Sequence, residues 1–183
     1  MTNPWHDIEV GDRAPEIINA VIEIPKDSTV KYELDKKTGL LKMDRFLYSA
    51  VHYPGDYGFI PQTLWDDRDP LDIIILTGRP LYPMTLVKAR VIGVLRMIDS
   101  GEKDDKIIAV YNDDPRYKEI EDVKHAPSHT IAELRHFFET YKHLQGKKCE
   151  ILEVLGKDSA FKDIERAKKM YEEKYGKKNN SSL

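Results

Sequence analysis

Residues 66–76, Asp-Asp-Arg-Asp-Pro-Leu-Asp-Ile-Ile-Ile-Leu, join an acidic loop to a continuous apolar run. The run, 73–76, predicts a buried β-strand that anchors the loop. Four aspartates and one arginine give residues 66–72 a net charge of −3. Pro70 fixes its own φ and biases Asp69 toward an extended backbone, so the acids keep a defined order. Since hard cations such as Mg2+ take carboxylate oxygens, the loop indicates a divalent-metal site.

Other readings of an Asp-x-Asp pattern fit this loop less well. In an Asx-rich turn the side chains would only bond to their own backbone, but a third Asp and a second acidic cluster at 99–106 favour a metal site. An EF-hand loop needs acids at alternate positions followed by Gly, whereas Leu71 and Asp72 stand at the fifth and sixth positions. Enzymes that use the first Asp as a nucleophile place it after an apolar strand, and here the strand follows.

Composition limits the class of protein. The chain has 183 residues, 33% of them charged and 40% apolar, which predicts a single globular domain. Its net charge of −3 and pI near 6.1 argue against a basic nucleic-acid-binding surface. The one cysteine, Cys149, fits a reducing compartment. With no apolar segment that resembles a signal peptide or a membrane span, we expect a cytoplasmic protein without membrane association.

Apolar and β-branched runs predict seven strands, at 17–24, 30–34, 40–48, 73–76, 84–98, 107–111 and 149–155. Residues 1–15 are expected to form an N-terminal arm with a short helix at most, and 52–61 a rigid loop rich in Pro, Gly and aromatic residues. Gly93, inside the longest of these strands, is expected to introduce a bend. Residues 99–106 are expected to connect two strands as a hairpin.

Two helices are expected near the C-terminal end. One begins at Pro127 and Ser128 and ends at Gly146, with apolar residues at helical spacing. The other is capped by Asp158 and closes at Gly176, and 176–183 is expected to be a disordered tail. Strands followed by helices predict an α+β domain built on a small barrel, covering 16–175.

Seven short motifs resemble, in order and spacing, those of the soluble, Mg2+-dependent family I inorganic pyrophosphatases of prokaryotic type. The motifs are Glu23-Ile24-Pro25, Lys31-Tyr32-Glu33, Asp44-Arg45-Phe46, Tyr53-Pro54-x-x-Tyr57-Gly58, Asp67-x-Asp69-Pro70-x-Asp72, residues 99–106 and Phe137-Phe138-x-x-Tyr141-Lys142. The resemblance runs from about residue 17 to about residue 175. It implies a hydrolase that converts pyrophosphate to two phosphates. It also implies a small oligonucleotide-binding-like closed β-barrel of about five strands with flanking helices, two of them C-terminal.

The resemblance also implies a role for each matched side chain. The implied metal ligands are Asp67, Asp72, Asp99, Asp104, Glu23 and Glu33. The implied phosphate-binding groups are Lys31, Arg45, Tyr57, Lys106, Tyr141 and Lys142. Asp69 would be the general base, acting with Tyr57, Arg45 and Lys31 as the catalytic set, and Tyr53 would support the site. Several Mg2+ ions per site are implied, with Mn2+ or Zn2+ as substitutes and Ca2+ as an inhibitor.

Two positions depart from the family pattern. Arg68 stands where a small residue, often Gly, is usual, and we expect its side chain to point outward. Tyr111 stands where Pro is frequent, and we expect it to matter only for packing.

The resemblance implies a homo-oligomer, with a hexamer favoured. The segment 137–143 is a candidate contact, because His129, His136 and His143 recur at a spacing of seven residues. The sequence is also compatible with two other functions. One is a non-catalytic protein that binds divalent cations or polyphosphate, with a site blunted by Arg68. The other is a nucleic-acid module on the same barrel, which the acidic balance opposes.

Overall fold

A computed structural model describes residues 3–176. It contains nine strands in this part of the chain: β1 Ile17–Ile24, β2 Val30–Leu34, β3 Leu41–Phe46, β4 Asp56–Phe59, β5 Asp72–Leu76, β6 Leu86–Asp99, β7 Glu102–Lys103, β8 Lys106–Tyr111 and β9 Cys149–Gly156. The helices are α1 Pro4–Asp7, α2 Ser128–Thr140 and α3 Lys157–Tyr175. The predicted disordered tail lies outside the described residues, apart from Gly176.

Five strands form the closed barrel that the sequence predicts. The ring runs β1, β4, β5, β8, β6 and back to β1. Every pair in the ring is antiparallel except β5 and β8, which are parallel. The long β6 leaves the ring at its C-terminal half and pairs there with β9 and β7. Its pairing with β8 shifts register between Val91 and Gly93, at the glycine where a bend is expected.

The apolar run after the acidic loop becomes β5, and it is buried on both faces. Ile74 packs in a cluster with Phe137 and Phe138 of α2, whereas Ile73 and Ile75 pack in a cluster with residues of α3. Burial on both faces explains why the strand is continuously apolar rather than alternating. It also makes β5 a rigid support for Asp72, its first residue.

The prediction of a loop at 52–61 is wrong in part, because Asp56–Phe59 forms β4 and is fully buried. A Cβ atom at Gly58 would lie 1.9 Å from the carbonyl oxygen of Val21 in β1. Gly58 therefore allows β4 to approach β1 closely. Glycine usually weakens a strand, but at this position it permits the two strands to pair. β4 closes the barrel between β1 and β5.

The helices also differ in detail from expectation. Asp158 does not cap α3, because the helix begins at Lys157 with Gly156 as its N-cap residue. Asp158 lies in the first turn, where a negative charge is favourable to the helix dipole. α2 ends at Thr140, and Gly146 instead closes a short 3-10 turn in a left-handed conformation. Among residues 3–176, no helix is long and apolar enough to cross a membrane.

Candidate active site

A cleft of about 300 Å³ lies where the parallel strands β5 and β8 begin. The sequence-predicted residues that line it are Glu23, Lys31, Glu33, Tyr57, Asp67, Asp69, Asp72, Asp99, Asp104, Lys106, Tyr141 and Lys142. Tyr53, the expected supporting residue, also lines it. The structure thus brings together acids and cations from positions spread over 120 residues of sequence. Arg45 is not among the described residues that line the cleft.

Asp72 and Lys106 meet because β5 and β8 are parallel neighbours. The two residues stand opposite each other in the register, at the first position of each strand. Lys106 Nζ lies 2.5 Å from Asp72 Oδ2 and also pairs with Asp104. The Tyr57 hydroxyl donates to the same oxygen of Asp72 at 2.5 Å. One buried ammonium group therefore holds two carboxylates of the predicted metal set.

Burial and charge act against each other at this pair. Burial disfavours the charged form of Lys106, but Asp104 and Asp72 outweigh it and raise the pKa of the ammonium group above its ordinary value. Burial raises the pKa of Asp72, although Lys106 opposes the rise. Burial, together with the charge of Asp72, keeps the pKa of Tyr57 well above its usual range. Tyr57 is therefore a neutral hydrogen-bond donor.

A second lysine–aspartate pair lies at the end of β6. Lys142, just after α2, pairs with Asp99 and has its ammonium group 5.1 Å from the centroid of the Tyr141 ring. Burial alone would raise the pKa of Asp99, but the hydrogen bond and the charge of Lys142 hold it below its ordinary value. Cys149 is buried beside this pair, with its Sγ atom 3.6 Å from an Asp99 oxygen.

Two acids of the cleft are protonated more readily than usual. Burial, with the nearby charge of Asp72, raises the pKa of Glu23 to about 8, and Glu23 accepts a hydrogen bond from the Leu34 N–H at 2.6 Å. Partial loss of hydration raises the pKa of Asp67 to about 6, although the N–H of Asp69 donates to Asp67 and opposes this. Both carboxyl groups would ionise more fully with a cation bound.

The hairpin of β2 and β3 supplies the next group of charges. Lys31 pairs with Glu33 and lies 3.6 Å from Asp44. Arg45 stands opposite Lys31 in the register and also approaches Asp44 at 3.6 Å. Arg45 therefore lies on β3 beside Lys31, near the cleft but outside its lining.

Sequence reasoning missed several residues of the cleft, including Trp5 and Lys36. Lys36 pairs with Asp69, and its ammonium group lies 5.5 Å from the centroid of the Trp5 ring. Trp5 is buried although it lies in the polar N-terminal arm. The only sequence feature that could have predicted this burial is a tryptophan within a polar segment, because large aromatic side chains usually pack against the core.

The two departures from the family pattern have clear positions. Arg68 has φ of 71°, and its side chain is exposed rather than part of the described cleft lining. Its outward orientation agrees with expectation. Tyr111 does more than pack, because its hydroxyl donates at 2.5 Å to the buried carboxylate of Asp56.

The donor set suits a hard divalent cation. Six predicted ligands are carboxylates facing one cleft, and two of them already converge on the ammonium group of Lys106. Within residues 3–176 no group of three or more acidic, His or Cys side chains is arranged at metal-ligand spacing. Lysines hold the acids instead, so the same oxygens would have to turn toward a metal as it binds.

Comparison with known proteins places these features in a family. The profile of the family described as inorganic pyrophosphatase matches residues 20–172. The chain is 51% identical to soluble inorganic pyrophosphatase 1 of Arabidopsis thaliana over 93% of this chain and 81% of that protein. It is 48% identical to soluble inorganic pyrophosphatase 2 of Chlamydomonas reinhardtii, over 95% of this chain and 91% of that one.

Solved structures agree with the sequence matches. The inorganic pyrophosphatase of Thermus thermophilus superimposes with a TM-score of 0.90 and 41% identity, covering 93% of this chain and 99% of that one. The enzyme of Helicobacter pylori gives a TM-score of 0.87 and 42% identity, covering 90% of this chain and 98% of that one.

Proposed function

This chain belongs to the inorganic pyrophosphatase family and is a diphosphatase, and we propose that it hydrolyses pyrophosphate by in-line attack of water with Mg2+ as the cofactor. The observation that carries the proposal is the composition of the cleft, which brings carboxylates of two loops together with Lys31, Lys106 and Lys142. Pyrophosphate carries several negative charges, and its hydrolysis needs those charges neutralised while water attacks phosphorus.

The proposed metal ligands are the carboxylates of Asp67, Asp72, Asp99, Asp104, Glu23 and Glu33. Bound Mg2+ would supply charge neutralisation and lower the pKa of the attacking water. Glu23, whose pKa burial raises to about 8, would give up its proton as the cation binds. Mn2+ or Zn2+ would substitute, and Ca2+ would inhibit.

Asp69 is the proposed general base. Its carboxylate lies in the cleft between the backbone of the acidic loop and Lys36. From there it would take the proton from the attacking water, a contribution of about 10²- to 10⁴-fold to the rate.

The cations and tyrosines would bind the phosphates and stabilise charge on the leaving group. Lys31, Lys106 and Lys142 are fixed donors, and Tyr57 and Tyr141 remain neutral because burial raises the pKa of both hydroxyls. Arg45 is proposed to take part from β3, where it stands opposite Lys31.

The experiment is phosphate release from pyrophosphate by the native chain and by Asp69→Asn, with Mg2+ and with Ca2+ in its place. We expect rapid release with Mg2+, little with Ca2+, and a loss of about 10²- to 10⁴-fold in the variant. Glu102→Gln, in the same cleft but outside the proposed base and ligand set, is the matched control and should remain close to native. Undiminished turnover in Asp69→Asn would rule out its role as base.

We also propose a homo-oligomer, with a hexamer favoured, in the cytoplasm. Phe137 and Phe138 of the candidate contact segment are buried in the core of this chain. Any contact there would therefore use the exposed His136, His143 and Leu144. Sedimentation equilibrium of the native chain and of Leu144→Asp tests this, since a monomeric native chain would overturn it.

A further inference from the structure

Helix α3 lies outside the cleft, yet one of its faces contacts both loops that carry the cleft acids. Asp163, Arg166 and Ala167 are spaced by three and four residues, which places them on one face of the helix. In the described structure none of the three lines the cleft. Their contacts instead lead to Leu64 and Asp66, at the start of the acidic loop, and through Arg96 to Asp105 of the hairpin.

The first connection runs from Asp163 through Arg96 to Asp105. Arg96 Nη1 lies 2.7 Å from Asp163 Oδ2 and 2.8 Å from Asp105 Oδ2. The Met97 N–H donates to the other oxygen of Asp105 at 3.1 Å. All three charged side chains are mostly shielded from solvent, with exposed fractions of 21% for Arg96, 7% for Asp105 and 11% for Asp163.

Asp105 matters because of its two neighbours. Asp104 and Lys106 line the cleft, whereas Asp105 does not. In an extended chain successive side chains point to opposite sides, so a fixed Asp105 fixes the direction of both neighbours. The Asp104 N–H also donates to the Met97 carbonyl at 3.1 Å, which ties the same segment to β6.

The second connection runs from Arg166 to Asp66. The two terminal nitrogens of Arg166 reach the two oxygens of Asp66 at 3.1 and 2.5 Å. The guanidinium carbon lies 4.6 Å from the centroid of the Trp65 ring. In addition, the Leu64 N–H donates to the carbonyl of Ala167 at 3.0 Å. Asp66 immediately precedes Asp67, so this fork holds the start of the acidic loop.

We propose that α3 is a brace that sets the position of Asp67 relative to Asp104, with Asp163 and Arg166 as positioning residues for the metal site. The inference rests on the proposed Mg2+-dependent function and adds to it the part of the fold that tunes the affinity for the cation. Mutation of residues that orient metal ligands without contacting the metal commonly lowers metal affinity about 10- to 100-fold. Asp163 and Arg166 stand three residues apart on α3, so their opposite charges attract each other.

The test measures Mg2+ binding to the metal-free, full-length protein by isothermal titration calorimetry, with melting temperature recorded separately in EDTA. Asp163→Asn keeps the shape of the side chain but removes the charge that holds Arg96. We expect it to weaken Mg2+ binding about 10-fold. Arg166→Met, which loses a half-exposed pair, should weaken it about 3-fold, and Arg166→Lys should recover part of that loss.

Glu172→Gln is the matched control for Asp163→Asn, because it also removes one negative charge and Glu172 is exposed outside the cleft lining. Lys169→Met is the matched control for Arg166→Met, because it also removes one positive charge and Lys169 makes only a loose pair with Glu173 at 3.9 Å. Weaker Mg2+ binding in each variant than in its control supports the brace. Unchanged binding in Asp163→Asn overturns it, whatever the melting temperature does, because α3 would then contribute stability alone. If Asp163→Asn does not fold, the same criterion applies to Arg166→Met.

Excess Mg2+ gives a second readout. It should restore turnover in the variants toward the native value, since their cleft residues are intact, and turnover that stays low at saturating Mg2+ opposes the brace. Failure of the proposed function is distinguishable, because the native chain itself would then show no Mg2+-dependent phosphate release. The brace fails only where the native chain is active and its variants bind Mg2+ equally well or are not restored.

Discussion

The loop 66–72 and the hairpin 99–106 bring acids to one cleft but compensate their charge differently. In the hairpin, Asp104 pairs with Lys106 and Asp99 with Lys142. In the loop, Asp67 has no ion-pair partner among the described residues, and its side chain is exposed. Lysines of the chain therefore compensate the hairpin acids. In the loop, Asp66, Asp69 and Asp72 pair with Arg166, Lys36 and Lys106, and Asp67 is the acid without such a partner among the described residues.

Acids in two similar acidic segments therefore have pKa values shifted in opposite directions. Loss of hydration raises the pKa of Asp67 to about 6. For Asp99 burial acts in the same direction, but Lys142 outweighs it and lowers the pKa. A cation that binds Asp67 would therefore compete with a proton only near or below pH 6, whereas one that binds Asp99 would compete with Lys142.

The largest expected effect follows from removing the countercharge of the hairpin. Lys106→Met leaves Asp72 and Asp104 close together without their shared cation, and Lys106 is only 2% exposed. We expect the free energy of unfolding of the metal-free protein to fall by about 3–5 kcal/mol. Mg2+ should recover more stability in this variant than in the native chain, because the cation replaces the ammonium group.

Urea denaturation with and without Mg2+ measures both effects. Lys103→Met is the control, because Lys103 is exposed in the same hairpin and should change stability by less than about 0.5 kcal/mol. Equal stability of the Lys106 and Lys103 variants would show that the two acids need no internal countercharge.

A smaller effect should have opposite signs in the two regions. At pH 7 Asp67→Asn should stabilise the metal-free protein, because it removes an ionisation that folding disfavours. Asp99→Asn should destabilise it, because it removes a charge that Lys142 favours. The change at Asp67 should be about 1 kcal/mol or less, because exposure and solvent screening weaken it. The change at Asp99 should be larger, about 1–3 kcal/mol, because only 10% of the Lys142 side chain and 15% of the Asp99 side chain are exposed.

The pH dependence separates the two contributions. The pKa of Asp67 is raised on folding, so its favourable contribution is present below 3.8 and is lost as pH rises through about 6. The pKa of Asp99 is lowered, so its contribution is present above 3.8 and is lost as pH falls below that value. Melting temperatures in EDTA from pH 3 to 8 test this, and changes of the same sign in both variants would contradict it.

The smallest expected effect concerns Arg68, in the loop. Its φ of 71° lies in the left-handed region, which costs a non-glycine residue about 1–2 kcal/mol. Arg68→Gly removes that strain but adds freedom to the unfolded chain, so we expect a net stabilisation of about 0.5 kcal/mol. Because the side chain points outward, the Mg2+ dependence of the rate should stay nearly unchanged. A large gain in metal affinity would mean that Arg68 turns inward and competes with the cation.

The pattern of apolar and β-branched residues predicted the strands well where glycine and proline did not interrupt it. The expected strands at 17–24 and 30–34 have those bounds in the structure, and the apolar run after the acidic loop is β5. The segment 52–61 defeated the same reasoning, since glycine and proline usually mark loops. Position 58 is glycine because β1 passes too close for any side chain. This requirement comes from the packing of β4 against β1 and cannot be recognised within the segment itself.

The available acids and cations, the order of the motifs that carry them, and a barrel followed by helices can all be inferred from the residue types and their order. Which of these charges meet depends on the tertiary structure. Asp72 and Lys106, 34 residues apart, meet because two strands are parallel neighbours, and Asp66 and Arg166, 100 residues apart, because α3 returns to the barrel. Side-chain type is a local property, whereas distance between charges, and with it pKa and metal affinity, depends on how distant segments pack.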